Sequence, residues 1–482
     1  MKKELALFLA MLMLTPAAVS CGNAAVETTA DTAPAEETSP AETETELTDD
    51  LSPMDFGGVG FLVLSSSTGT QHTITAINEQ TGDILNDAMY DRTQTVAEKY
   101  NIDFLDDHVP GDAWVSLDIF TNSVLAGDQA YDLAMLLERR AFVMTNEGYF
   151  TDIGSLEHVN LSKPYWFQDV NKTINFTDAT YISYGSAQIG MYDMTHVLCF
   201  NQNMAADLGL ESPYDLVLEG TWTLDKLQEM GQTAMRDANG DGEWGTDDIY
   251  AIVGGRNALP VNFLASARVR TIEMMEDGSV NIALLTNPLI EEIFTKVSDM
   301  CWETGFWYTK SESSNTYWLT DTYFQDDQAL FADQTFYSII SLRDMVSDFG
   351  IVPFPKYTAD QEQYGVMVEA GTRAMVVPTT AKDPKLCGAV LETLHWLSWK
   401  DVMPAYYEVT LKQKVSRDSI SAQMLDIIMD SICYDLGMTM FNDNVKDGIF
   451  TELFKGNKRE YVSTATKKIP AIEAAIADAR GE

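Results

Sequence analysis

The stretch DANGDGEWGTDD, residues 237–248, puts oxygen-bearing side chains at alternate positions, Asp237, Asn239 and Asp241, with Gly242 directly after them. That spacing matches positions one, three, five and six of a calcium loop, where Glu243 would offer its backbone carbonyl at seven and Asp248 falls at twelve. Asp is shorter than the usual Glu at the last position, so Asp247 could share that role. Carboxylates crowded around one point repel without a cation. The pattern therefore favours a structural Ca2+ over a turn closed only by Asx hydrogen bonds. Catalysis is the poorest reading of the loop, because its carboxylates converge and leave no cleft between them. No GxSxG or HExxH signature occurs elsewhere, and no catalytic cofactor is expected. A glycosidase needs only two carboxylates across a bond, so with 73 acidic residues a secreted glycan-active enzyme stays open as the alternative.

The balance of the chain narrows its partners. A net charge of −42 on 482 residues argues against nucleic acid, whose backbone needs a basic surface, and against docking on anionic lipid through a basic face. MKKELALFLAMLMLTPAAVSC has two lysines, an apolar core too short to span a bilayer, and small residues before Cys21. It reads as a secretory leader over residues 1–20. The following residues, 21–52, hold nine carboxylates, with no basic or aromatic side chain. They cannot bury enough to fold and read as a disordered acidic tether. Cys199, Cys301, Cys387 and Cys433 are far apart in apolar surroundings, which favours buried thiols, with disulfides left open.

The elements that must position any site follow from periodicity. VGFLVLSSS (59–67) reads as a buried strand. In the next helical stretch Leu85, Met89, Val96 and Tyr100 share one face, and IDF begins another strand. This β–α–β unit implies a parallel sheet with covered faces. AYDLAMLLERR (130–140) is a further strand with charge at its carboxyl end. THVLCFNQNMAADLGL (195–210) is a strand entering a helix, and Thr223 caps the helix of GTWTLDKLQEM. DDIYAIVGG, QALFAD (328–333) and FGIVP (349–353) are strands, and the C-terminal third is mostly helical.

Several ordered stretches resemble the family 1, carbohydrate-leaning, extracellular solute-binding proteins of bacterial ABC importers. NDAMYDRTQTVAEKYN is similar to the first helix of that family. NEGYFTDIGSL resembles its G-x-[LF]-x-D loop, THVLCFNQNMAADLGL its crossover strand and helix, and GTWTLDKLQEM its TW helix start. RDANGDGEWGTDDIYAI resembles an insertion of some members, and PAYYEVTLKQKVSRDSISAQMLDII a C-terminal stretch of one subgroup. AVSCGN resembles a lipobox, with Ala18 where leucine is usual, and implies lipidation of Cys21.

The resemblance implies a two-lobe periplasmic-binding-protein-like α/β fold (type II), with a cleft between the lobes and a helical C-terminal region. Residues 54–193 and 328–378 would form lobe 1, and 194–327 and 379–482 lobe 2. It also implies a non-enzymatic, monomeric, lipid-anchored protein on the extracellular face of the cytoplasmic membrane. Such a protein captures a neutral or weakly charged oligosaccharide and delivers it to permease subunits. A surface sensor or adhesin on the same fold is a third reading.

A sugar wants an aromatic under its apolar face and charged or amide groups around its rim. The resemblance points to Phe336 and Tyr337 for stacking. Trp302 either caps the cleft or packs a helix, whereas Trp222 reads as packing at a helix start. Strand ends supply the rest, since ligands of open α/β sheets bind outside the carboxyl ends of strands. These candidates are Ser66, Glu138, Arg139, Asp193, Arg256 and Glu369.

Overall fold

The computed structural model describes residues 47–67, 79–110, 113–175, 179–309, 318–369, 371–414 and 419–481. The leader, Cys21 and the tether up to residue 46 lie outside the described residues. No helix among the described residues is long and apolar enough to cross a membrane.

The first apolar run forms β1 (Val59–Ser67), and IDFLDDHVP forms β2 (Ile102–Pro110). Between them lies the helix Ile84–Tyr100, which buries Leu85, Met89, Val96 and Tyr100, the face expected from a 3.6-residue period. The Asp83 side chain caps its start by accepting from the Asn86 amide. Asn101 ends it in the left-handed region at φ 46°, which asparagine tolerates. LAMLL becomes β3 (Leu133–Leu137), buried along its whole length as a continuous apolar run should be. β1 runs parallel to both β2 and β3, so their carboxyl ends share one edge of the sheet.

A second sheet starts at β4 (His196–Asn201) and β5 (Tyr250–Val253). A small separate hairpin of β6 (Ile272–Met274) and β7 (Val280–Ile282) follows. β8 (Trp307–Tyr308), β9 (Ala329–Thr335) and β10 (Phe349–Val352) complete the second sheet in the order β10-β4-β9-β5-β8. β11 (Arg373–Val376) then returns to the first sheet antiparallel to β3, giving β11-β3-β1-β2.

Two sheets thus form the two lobes of a mixed α/β fold, as the resemblance implies, but the chain is divided between them differently. β9 and β10, expected in lobe 1, pair with β4 and β5 in the second sheet, and of residues 328–378 only β11 is a strand of the first sheet. The C-terminal helices are divided as well. Pro384–Leu397 packs on Ile84–Tyr100 beside the first sheet, whereas Tyr461–Arg480 packs on Pro288–Cys301 beside the second. Buried hydrogen bonds explain the first placement: the Tyr100 hydroxyl meets Thr393 Oγ1 at 2.6 Å, and Arg92 Nη1 donates to Ser398 Oγ at 3.0 Å. Trp222 is packing, as its place at a helix start suggests; it is fully buried and its indole donates to the Pro353 carbonyl. The four described cysteines are free thiols, three of them buried.

Candidate functional site

Two stretches of chain connect the sheets and run side by side. Residues 193–196 lead into β4, and residues 366–369 and 371–373 lead back to β11. The His196 amide donates to the Met367 carbonyl and the Glu369 amide to the Met194 carbonyl, both at 2.9 Å, with Thr195 and Val368 bridged antiparallel. The turn after β9 docks on the same crossing, where the Tyr337 amide donates to the Asp193 carbonyl at 3.0 Å.

Charged side chains collect at this crossing. His196 Nδ1 meets Asp333 Oδ1 at 2.8 Å, and its Nε2 lies 3.4 Å from Glu369 Oε2. The other Glu369 oxygen lies 3.9 Å from Lys446 Nζ. Asn262 Nδ2 donates to Asp333 Oδ1 at 3.1 Å. Burial works against a charged imidazole, but Asp333 and Glu369 outweigh it and hold His196 up at about 9. Burial likewise raises the Asp333 carboxyl, even with the imidazole beside it. Glu138 stands at the carboxyl end of β3, its amide donating to the Thr372 carbonyl. Its Oε2 accepts from the Tyr184 hydroxyl at 2.6 Å and the Tyr434 hydroxyl at 3.4 Å. Burial pushes this carboxyl up to about 7, opposed by those hydroxyls and by the Lys446 charge. The result is a set of buried charges at the junction of the lobes, one of them near its titration midpoint at neutral pH.

The other expected residues divide between this junction and packing roles. Ser66 is buried, and its Oγ accepts from Arg373 Nε at 3.2 Å and from Ser116 Oγ at 3.1 Å. Asp193 accepts from the Tyr406 hydroxyl at 3.3 Å, and with burial its charge raises the phenol of the half-buried Tyr337. Phe336 does not offer a stacking face: it is 3% exposed, in a core cluster with Phe324 and Ile339. Trp302 packs. Its indole donates to the Phe454 carbonyl, its ring meets Trp307 edge-on, and the Arg256 guanidinium lies over it at 5.5 Å. Arg139 lies 5.6 Å from the centre of the Trp114 ring. Sequence reasoning missed His196, Asp333, Lys446, Arg373 and Trp114. His196 and Arg373 carried a signal, since each stands where a connecting stretch meets a strand. Lys446 carried none.

The loop at 237–248 is closed by its own backbone. Asp237 accepts from the Gly240 and Gly242 amides, Asn239 from Asp241, Asp241 from Glu243, and Asp248 from Ala238 and Gly245. These amides hold the Asp248 carboxyl below its ordinary value. Among the described residues no group of three or more His, Cys, Asp or Glu side chains is placed to hold a metal ion. The side-chain oxygens expected to hold an ion each accept from N–H groups of the loop itself.

No family model and no curated protein matches the chain. Solved structures do. An ABC substrate-binding protein from Listeria monocytogenes, in complex with cycloalternan, aligns at TM-score 0.54 and 11% identity over 88% of this chain and 99% of its own. A cyclo/maltodextrin-binding protein complexed with maltotetraose aligns at TM-score 0.56 and 12% identity over 86% and 96%. A family 1 extracellular solute-binding protein from Bifidobacterium longum subsp. infantis aligns at TM-score 0.53 and 12% identity over 86% and 100%. The chain has the two-lobe fold of the family 1 solute-binding proteins.

Proposed function

We propose that the chain captures a carbohydrate between its two lobes and passes it intact to the membrane subunits of an ABC importer. In this reading a lipid on Cys21 and the acidic tether hold the body at the extracellular face of the cytoplasmic membrane. The observation that carries the proposal is the collection of buried charge at the lobe junction, in a fold whose neighbours include proteins solved with cycloalternan and maltotetraose. His196 on β4 and Asp333 on β9 belong to the second sheet, Glu138 follows β3 of the first, and Glu369 lies on the connection between them. Glu369 is the partly exposed member of this set, so a ligand reaching both lobes would meet its carboxylate first, and that carboxylate suits the hydroxyls of a sugar ring edge. Calorimetric titration with an oligosaccharide panel, followed by mass analysis of the recovered sugar, tests the proposal. Saturable binding with the sugar recovered whole is expected; shortened products that accumulate with time would instead make the chain an enzyme.

A further inference from the structure

We propose that the captured saccharide carries a carboxylate, recognised by Arg139 beside the indole of Trp114. This deepens the sugar-capture reading and rests on it. Trp114 lies in the helix Ala113–Ala126 that follows β2, and Arg139 in the helix Glu138–Met144 that follows β3. Because those strands are parallel, both residues stand at the carboxyl edge of the first sheet, where ligands of such sheets bind. The indole is 40% exposed, with the guanidinium carbons of Arg140 and Arg139 at 4.7 and 5.6 Å from its ring centre.

The two arginines differ in what else they meet. Arg140 pairs with Asp443 at 3.6 Å. Arg139 has no carboxylate partner among the described residues, although the chain has 73 acidic side chains against 31 basic ones. That leaves the half-buried guanidinium of Arg139, set beside the indole at the carboxyl edge of the sheet, available to a carboxylate from outside. A guanidinium presents a planar fork that matches a carboxylate through two parallel hydrogen bonds. The indole beside it orients that fork and offers an apolar face to the sugar ring. The neighbouring residue, Glu138, does not compete strongly for it, because burial and its contacts to Tyr184 and Tyr434 hold it inside the fold.

The test uses matched pairs of ligands: uronic-acid oligosaccharides and the same oligosaccharides after reduction of their carboxyl groups to alcohols. Each is titrated into wild type, Arg139→Gln and Trp114→Ala, with melting temperatures as the folding control. The expected result is that an acidic member binds wild type at least about tenfold more tightly than its reduced partner, and that Arg139→Gln erases the difference. Trp114→Ala should weaken both members of the pair. Equal binding of acidic and reduced members would overturn the carboxylate inference while leaving sugar capture standing. Binding by neither class would overturn both readings. An acid preference that survives in folded Arg139→Gln would remove Arg139 from the site. Trp114→Ala that binds sugar normally but fails to support uptake would make the Trp114 face a docking surface for the importer, against the inference.

Discussion

His196 Nδ1 and Asp333 Oδ1 face each other at 2.8 Å with neither side chain exposed to solvent. The pair joins β4 to β9 beside the connection between the lobes, and Glu369 on that connection closes on the other imidazole nitrogen. Burial raises the Asp333 carboxyl, and its Oδ2 has no hydrogen-bond partner in the described structure, while the carboxylates raise His196 to about 9. Burial alone favours a neutral carboxyl, and the imidazolium beside it favours the carboxylate, so the pair holds one proton on the imidazole side that is not readily given up to water.

The pH dependence of stability follows in sign. A group whose pKa is higher folded than unfolded contributes stability that is complete below its unfolded pKa and is lost as pH rises through its folded pKa. For His196 that window runs from 6.5 to about 9. The melting temperature of the protein should therefore fall across this interval, and the fall should be shallower in His196→Gln. Asp333→Ala should cost on the order of 3–5 kcal/mol at pH 7, because it leaves a buried cation without its nearest counter-charge. A melting curve series that is flat between pH 6.5 and 9 would show that folding does not raise the His196 imidazole.

Glu138 supports a prediction of the opposite practical outcome, a stabilising substitution. Burial raises its carboxyl from 4.5 to about 7, so above neutral pH the fold holds a carboxylate it disfavours. Glu138→Gln keeps an oxygen for the Tyr184 and Tyr434 hydroxyls and removes the charge. At pH 8 the variant should be more stable than wild type, on the order of 1–3 kcal/mol, and at pH 4.5 the two should melt alike. Thermal unfolding at both values checks this. A variant less stable at pH 8 would mean that attraction to Lys446 outweighs burial.

How far the sequence could be read depended on whether a property is local. The helix Ile84–Tyr100, the buried LAMLL strand and the Thr223 cap all follow from spacing within a few residues, and each is present. Which sheet a strand joins is not local. QALFAD and FGIVP are legible as strands, yet nothing in them says that β9 and β10 lie either side of β4 rather than beside β3. The site shows the same limit. Glu138, Asp193 and Glu369 could be named from the sequence because they stand near strand ends, whereas Lys446 reaches Glu369 from 77 positions further along the chain. Phe336 and Tyr337, expected together as stacking residues, are placed differently, Phe336 in the core and Tyr337 half-buried, since adjacent side chains at a strand end point to different surroundings.

That last pair makes a prediction. Phe336 is packed among Phe324, Ile339 and Leu425, so Phe336→Ala should cost about 3–5 kcal/mol of stability, the usual loss for a buried aromatic. Tyr337→Ala should leave folding nearly intact and weaken sugar binding by about tenfold or more if its ring contributes a stacking face. Melting temperatures and titrations on both variants separate the roles. The reverse pattern, a folded Phe336→Ala that has lost affinity, would require the core around Phe336 to open on ligand binding.

The acidic loop yields the last prediction. Calcium loops work by turning several oxygens onto one ion, but here the side-chain oxygens of Asp237, Asn239, Asp241 and Asp248 accept from amides of the same loop. Asp248 is the member most tied to the fold, as it is buried and bridges the Ala238 and Gly245 amides just ahead of β5. Its carboxyl lies below the ordinary value, so the stability it supplies is present above its unfolded pKa and is lost as pH falls through the folded one. Asp248→Asn should thus lower the melting temperature at neutral pH, and the difference from wild type should shrink in acid. With every one of the Asp237, Asp241 and Asp248 carboxylate oxygens already accepting an N–H of the loop, millimolar calcium added to chelator-treated protein should leave the melting temperature unchanged. Any ion bound only by the folded state would raise it, by about 2.7 kcal/mol at a hundredfold excess over Kd. A calcium-dependent rise that disappears in Asp237→Ala/Asp241→Ala would show that these side chains turn from their amides onto the ion.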